Sequence, residues 1–189
     1  FVNHDRAASG TMTIGAIPSS GGVEAAIRRA SSATGVDFDF LMKTARRESA
    51  MNPSARAPSS SAAGLFQFIE QTWLATVKQH GAEHGYGQYA DLIHRGGDGR
   101  WRVEGSARNV VLDLRFDPQA ASTMAAELTA SNAAYLRGRT GREPGAGDLY
   151  AKYFIQKHFI EGADLEESST YALRETTEFL KIGNTSEKI

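Results

Sequence analysis

The sequence contains no cysteine. Disulfides and thiolate chemistry are thereby excluded, while the compartment stays open, since a bacterial envelope protein can do without disulfides. Long hydrophobic runs are also missing, and none of the apolar stretches approaches the length needed to cross a bilayer. Nor does one sign of charge dominate: 21 basic residues face 22 acidic ones, for a formal net charge of -1. No net field advertises a nucleic-acid or membrane partner, so any electrostatic function is local. Phe1 opens the chain without an initiator Met, a basic start or an apolar core, the pattern expected of a processed or trimmed chain. What is present is ordinary globular composition, 41% hydrophobic and 23% charged over 189 residues, enough for one well-buried domain.

Residues 1–22 carry Gly, Ser and Thr without sustained apolar periodicity and are expected to form a loose leader, with the domain running over 23–189. Val23, Ala26, Ile27 and Ala30 fall at helical spacing, and Gly35 ends that segment. Asp37 is an N-cap candidate before Phe38, Leu41, Met42 and Ala45, which predict a second amphipathic helix to about Ala50. The Ser-, Ala- and Pro-rich stretch from Asn52 to Ala63 has loop composition. A third helix is predicted from about Gly64 to His80, largely buried. The turn signal Gly96-Gly97-Asp98-Gly99 lies between Leu92-Ile93 and Trp101-Arg102-Val103 and predicts one small β-hairpin. A helix from about Ser106 to Arg115 precedes Asp117-Pro118, which starts a long helix stopping near Gly138. An aromatic-rich helix after Asp148 and a last one around Tyr171 to Leu180 complete a mostly helical α+β domain.

Glu48 is the most informative residue. It lies seven residues after Leu41 and three after Ala45, continuing the apolar stripe of its helix, where a carboxylate is partly desolvated. A buried acid resists ionisation, and a carboxyl still protonated near neutral pH can protonate a glycosidic oxygen. The plainer reading is a helix-end Glu paired with Arg46, Arg47 or another base.

The residues that follow connect into a pattern: Glu48-Ser49-Ala50-Met51-Asn52-Pro53-Ser54-Ala55 and, after a short loop, Ser61-Ala62-Ala63-Gly64-Leu65-Phe66-Gln67-Phe68, with Thr72 beyond. This resembles the soluble lytic transglycosylase family, whose signature runs Glu-Ser, two residues, Asn-Pro, a Ser-containing loop, then Gly-Leu-Met-Gln and a later Thr. The resemblance implies a lysozyme-like (goose-type lysozyme/SLT) fold and makes Glu48 the single catalytic acid/base. It makes Gln67 a cleft residue near the sugar N-acetyl group, and Phe66, in the place of the usual Met, part of the cleft wall. An amide can donate to and accept from an acetamido sugar; the structural alternative for Gln67 is a hydrogen bond to loop backbone. Ala57 replaces a usual Ser, and Ser59, Ser60 and Ser61 supply hydroxyls in its stead. Gly147-Asp148-Leu149-Tyr150-Ala151-Lys152-Tyr153-Phe154 resembles an Asp-Leu-Tyr-x-Ala-His-Phe segment of an alphaproteobacterial branch, with Lys152 and Tyr153 in place of Ala and His. The resemblance extends from Val23 to Gly162, and the substrate-binding candidates are Ser49, Ser60, Ser61, Phe66, Gln67, Tyr150 and Tyr153.

The implied partner is peptidoglycan, together with a flagellar or secretion-system protein for members of that branch. The implied location is periplasmic or secreted, and the expected state is a monomer. The chemistry requires no cofactor. His80-Gly81-Ala82-Glu83-His84 sets two histidines four apart, but no third ligand is evident in the sequence, so no metal is expected and the stretch reads as a loop. Trp73 at helical spacing reads as core, whereas Trp101 could stack on sugar. No acidic partner to Glu48 stands in the motif, which favours intramolecular formation of 1,6-anhydromuramic acid over hydrolysis. The rivals are a hydrolytic muramidase using Glu83, Asp91 or another acid from the hairpin region to direct water, and a non-catalytic peptidoglycan-binding scaffold.

Overall fold

The computed structural model describes residues 20–159 and 165–182. Most of the expected leader lies outside the described residues. Helix α1 (Ser20–Thr34) begins ahead of Val23 and buries Val23, Ala26, Ile27 and Ala30, the predicted stripe. Gly35, at φ +75°, ends it, a left-handed stop that glycine takes without a Cβ penalty. Helix α2 (Phe38–Ser49) is capped by Asp37, whose carboxylate accepts from the Phe40 amide at 2.7 Å. This satisfies one of the amide donors that a helix start leaves over.

The predicted third helix is the main correction. Residues 64–67 form a turn, Phe68 and Ile69 are extended, and helix α3 spans only Glu70–His80. Two residues forbid a helix there: Gly64 sits at φ +80° and Gln67 at φ +49°. Antiparallel bridges pair Arg56 with Ala63 and Ala63 with Phe68, so the apolar run folds back on the loop before it. Its hydrophobic width reflects burial, which periodicity alone cannot tell from a buried helix.

A 3₁₀ turn over Gly81–His84 and the short helix α4 (Gly87–Ala90) lead to the hairpin. Its strands are β1 (His94–Arg95) and β2 (Trp101–Arg102), with His94 opposite Arg102 and Arg95 opposite Trp101. They start one residue beyond Ile93, which is buried as part of the core. Helix α5 (Ala107–Asp113) and a 3₁₀ turn over Leu114–Phe116 precede α6 (Pro118–Thr140). Asp117 caps α6 by accepting from the Ala120 amide at 2.7 Å, with Pro118 at the first helical position.

α6 is the central element. Its small residues Ala120, Ala121, Ala125 and Ala126 are buried and let α1 lie along it. Trp73 is fully buried on α3, and its indole N–H donates to the Val111 carbonyl at 2.8 Å. The C-terminal pair, α7 (Ala146–Phe159) and α8 (Leu165–Leu180), pack on each other, and α8 also reaches α2. That last helix starts earlier than the expected Tyr171. Among the described residues no helix is long and apolar enough to cross a membrane. The result is a predominantly helical fold with one small antiparallel hairpin.

Candidate active site

Glu48 stands one residue from the end of α2, half-buried. The helix stops abruptly beyond it: Ala50 and Met51 take φ +51° and +66°, and their amides return to the Arg46 and Ala45 carbonyls at 3.0 and 3.3 Å. Left-handed backbone costs a non-glycine residue about 1–2 kcal/mol. Among the described residues, the only non-glycine residues at positive φ are Ala50, Met51 and Gln67. Strain gathered in one loop, next to an acid, is a reason to look there for function.

Several contacts hold that loop. Ser49 Oγ lies 2.8 Å from the Leu65 carbonyl oxygen and 3.1 Å from that of Ala45, so its single proton ties α2 to the turn segment. The Gln67 side-chain NH2 donates to the Gly64 carbonyl at 2.9 Å and the Ala55 carbonyl at 3.2 Å. This is the structural of the two readings for Gln67, which is buried. The ring of Phe66 is fully buried as well, so it packs behind the loop and does not face a cleft. An apolar ring at that position lowers the free energy most when removed from water. Arg115, unnoticed in the sequence, is the fastener: its guanidinium donates to the Ser61 carbonyl at 2.7 Å, to Phe68 at 3.0 Å and to Leu112 at 2.8 Å. Burial pulls its pKa below the usual arginine value. A Cβ on Gly64 would stand 1.9 Å from the Arg115 carbonyl oxygen, which is why only glycine fits.

From α7, Tyr150 donates its phenol proton to Glu48 Oε1 at 2.8 Å. The ring is sandwiched edge to core: it stacks on Phe179 of α8 with centroids 4.3 Å apart and planes 4° from parallel. Burial first, then the Glu48 charge and the hydrogen bond to it, push the Tyr150 phenol far above its ordinary value of 10.0. The raised value keeps it a hydrogen-bond donor near neutral pH. Tyr153, one turn on, donates to the Phe66 carbonyl, and burial likewise raises its phenol. The two tyrosines divide the work: Tyr150 meets the acid, whereas Tyr153 secures the backbone beside Gln67.

Arg47 is engaged by α8. Its Nε donates to Glu175 Oε2 of α8 at 2.8 Å. Glu175 and Phe179 thus reach Arg47 and Tyr150 beside Glu48 from a helix that the motif does not reach. Their signal in the sequence was weak, being the amphipathic pattern of the last helix alone.

Ser60 and Ser61 lie elsewhere. With Trp101, Gln71 and Arg102 they line a cleft of about 830 Å³ between the loop and the hairpin. Gln71 bridges the two walls, accepting from the Trp101 amide at 2.9 Å and donating to its carbonyl at 3.0 Å. Neither Glu48 nor Gln67 is among the residues lining that cleft. Ser60 and Ser61 also accept from the Ala62 and Glu70 amides, each at 3.2 Å. Of the rival acids, Asp91 is exposed after α4, and Glu83 is exposed beside His80 and Glu127.

The family model described as the transglycosylase SLT domain matches residues 25–92, a span that holds Glu48, Ser49, the serine loop and Gln67 and ends before the hairpin and Tyr150. Over that span the chain is similar to transglycosylase SLT domains, and its mainly helical fold with one small antiparallel hairpin matches the lysozyme-like α+β architecture.

Proposed function

We propose that the protein is a peptidoglycan lytic transglycosylase that cleaves the β-1,4 bond between N-acetylmuramic acid and N-acetylglucosamine, with Glu48 as its one catalytic acid/base. The observation that carries this reading is the hydrogen bond from Tyr150 to Glu48 at the strained end of α2, inside the matched span. Glu48 protonates the glycosidic oxygen as the C–O bond breaks, while the substrate's acetamido oxygen supports the positive charge developing at the anomeric carbon. The resulting carboxylate then takes the proton from the C6 hydroxyl of the muramic residue as that oxygen closes on the anomeric carbon. The product is 1,6-anhydromuramic acid, and no water is consumed. Tyr150 acts through Glu48: its proton holds one carboxylate oxygen and fixes the rotamer. Ser49, Phe66, Gln67 and Tyr153 keep the loop in shape around the acid, and Ser60 and Ser61 offer hydroxyls to the glycan strand in the hairpin cleft.

A single-acid mechanism is supported by the surroundings. Besides Glu48, the acidic side chain whose charge Tyr150 feels is Glu175, which Arg47 engages. The location that goes with this reading is the bacterial envelope, where its substrate lies. The test is digestion of purified peptidoglycan by the wild type and by Glu48→Gln, with mass spectrometry of the released muropeptides. Anhydro ends from the wild type and none from the variant are expected. Reducing ends, heavier by one water, would make the enzyme a muramidase, and no release from either protein would favour a binding scaffold.

A further inference from the structure

The two histidines four residues apart have a third partner that the sequence concealed. Glu127, in the middle of α6, faces the turn that follows α3, with Oε1 2.6 Å from His84 Nε2 and Oε2 3.4 Å from His80 Nδ1. Glu83, from the same turn, joins them: the ligand atoms of His80, Glu83 and Glu127 all lie within 4.8 Å of one another. Only about 15–18% of the side-chain surface of His80, His84 and Glu127 meets solvent. Two largely dry imidazoles share one carboxylate, with a second carboxylate at the mouth.

We propose that His80, Glu83 and Glu127 bind a divalent transition-metal ion of the zinc type, with His84 holding Glu127 in place. Imidazole and carboxylate together are the donor set such ions take, with nitrogen and oxygen at about 2.0–2.2 Å. Ligands at that radius are about 3–4 Å apart, so the cluster needs only a small contraction. The outer contacts also fit. His80 presents Nδ1 to the cluster while its Nε2 lies 3.3 Å from the Ser131 hydroxyl; a metal-bound imidazole characteristically passes its second N–H to such a partner. His84 at 2.6 Å from Glu127 plays the matching part for the carboxylate. Both carboxylates neutralise the dication, which a pair of histidines alone could not do. The ion ties the end of α3 to the middle of α6, two helices already in contact. This inference is independent of the reaction assigned to Glu48.

The experiment uses protein without a histidine tag, stripped with a chelator and titrated with Zn²⁺ by calorimetry. One equivalent is expected to bind, and Tm to rise by about 5–10 °C when free zinc exceeds Kd about a hundredfold. Glu83 is exposed, so Glu83→Gln is expected to keep the metal-free Tm while losing at least about tenfold in affinity. His94→Ala, which removes the surface pair with Glu104 at 3.2 Å, is expected to leave binding unchanged. The proposal is overturned by a wild type that shows no heat and no Tm shift, by wild-type affinity in Glu83→Gln, or by loss of zinc in His94→Ala.

Discussion

Two polar clusters in this protein are each built around a glutamate met by ring donors from a distant helix, and they differ in what those rings can do. Glu48 meets the phenol of Tyr150, 102 positions away; Glu127 meets the imidazole of His84, 43 positions away, and that of His80. A phenol whose pKa is raised keeps its proton as a hydrogen-bond donor, so it can orient an acid without competing for its chemistry. An imidazole can give up its proton and present a lone pair, so the second cluster can exchange a proton for a metal ion. The backbone differs in the same sense. Left-handed residues and a buried arginine hold the loop after Glu48, whereas Glu127 stands mid-helix on regular backbone. Strain accompanies the site assigned to catalysis and is missing from the site assigned to binding.

The sharpest way to break this comparison is to neutralise each glutamate in turn. Glu48→Gln keeps the Tyr150 hydrogen bond but removes the transferable proton, and turnover of peptidoglycan is expected to fall by about 10²–10⁴-fold. Glu127→Gln is expected to leave the turnover of folded enzyme within about twofold, read by anhydro-muropeptide release per mole of native protein. Equal losses in both would mean that the clusters are coupled and that the division drawn between them is wrong.

The next effect tests the strained loop itself. Gly64→Ala forces a Cβ into the Arg115 carbonyl at a residue held at φ +80°. Overpacking together with left-handed strain is expected to cost about 2–4 kcal/mol, read from the urea midpoint at unchanged m. A loss below about 1 kcal/mol would show that the loop yields easily and does not hold Glu48.

That loop also shows where reading the sequence ran out. The helices carrying Glu48, Trp73 and the Asp117 cap were legible because each depends on local signals: a stripe, a cap, a proline at the first position. Residues 64–69 were not, because their apolar run has the same composition whether it is a buried helix or a folded-back turn, and Gln67 announces its positive φ by no residue-type signal. Tyr150 was legible only as one of two tyrosines, since choosing between them needs the packing of α7 against α2 and α8. Glu127 was invisible as a partner of His80 because its helix arrives from 47 residues further along the chain. Contacts of that reach are set by how whole elements dock, and motif spacing carries no trace of them.

A smaller effect separates the phenol from the imidazole. Tyr150→Phe is expected to lower kcat about tenfold with little change in KM, because the acid loses its orientation while the cleft is untouched. The same variant carries a stability signature. Both buried phenols have folded pKa values above the ordinary 10.0, so their contribution is complete below that pH. It is lost as pH rises further, where the unfolded chain ionises first. The fall in the urea midpoint above about pH 10 is therefore expected to be shallower in Tyr150→Phe, and an unchanged alkaline slope would remove Tyr150 from the buried position assigned to it.

The smallest effect comes from the caps that start the two glutamate-bearing helices. Asp37 and Asp117 each accept from an amide three residues on at 2.7 Å, one at the head of the helix that delivers Glu48 and the other at the head of the helix that delivers Glu127. Replacing either with Ala leaves one amide without its partner and is expected to cost about 1 kcal/mol. Neither aspartate touches a cluster, so turnover by Asp37→Ala and zinc affinity of Asp117→Ala are expected to match the wild type once native protein is counted. If Asp37→Ala instead lowers kcat in proportion to its loss of stability, the position of Glu48 depends on the whole of α2 being ordered. The strained stop after Ser49 and the Tyr150 bond would then not suffice to hold the acid, and the contrast between a locally fastened site and a site set on regular helix would fail at its first member.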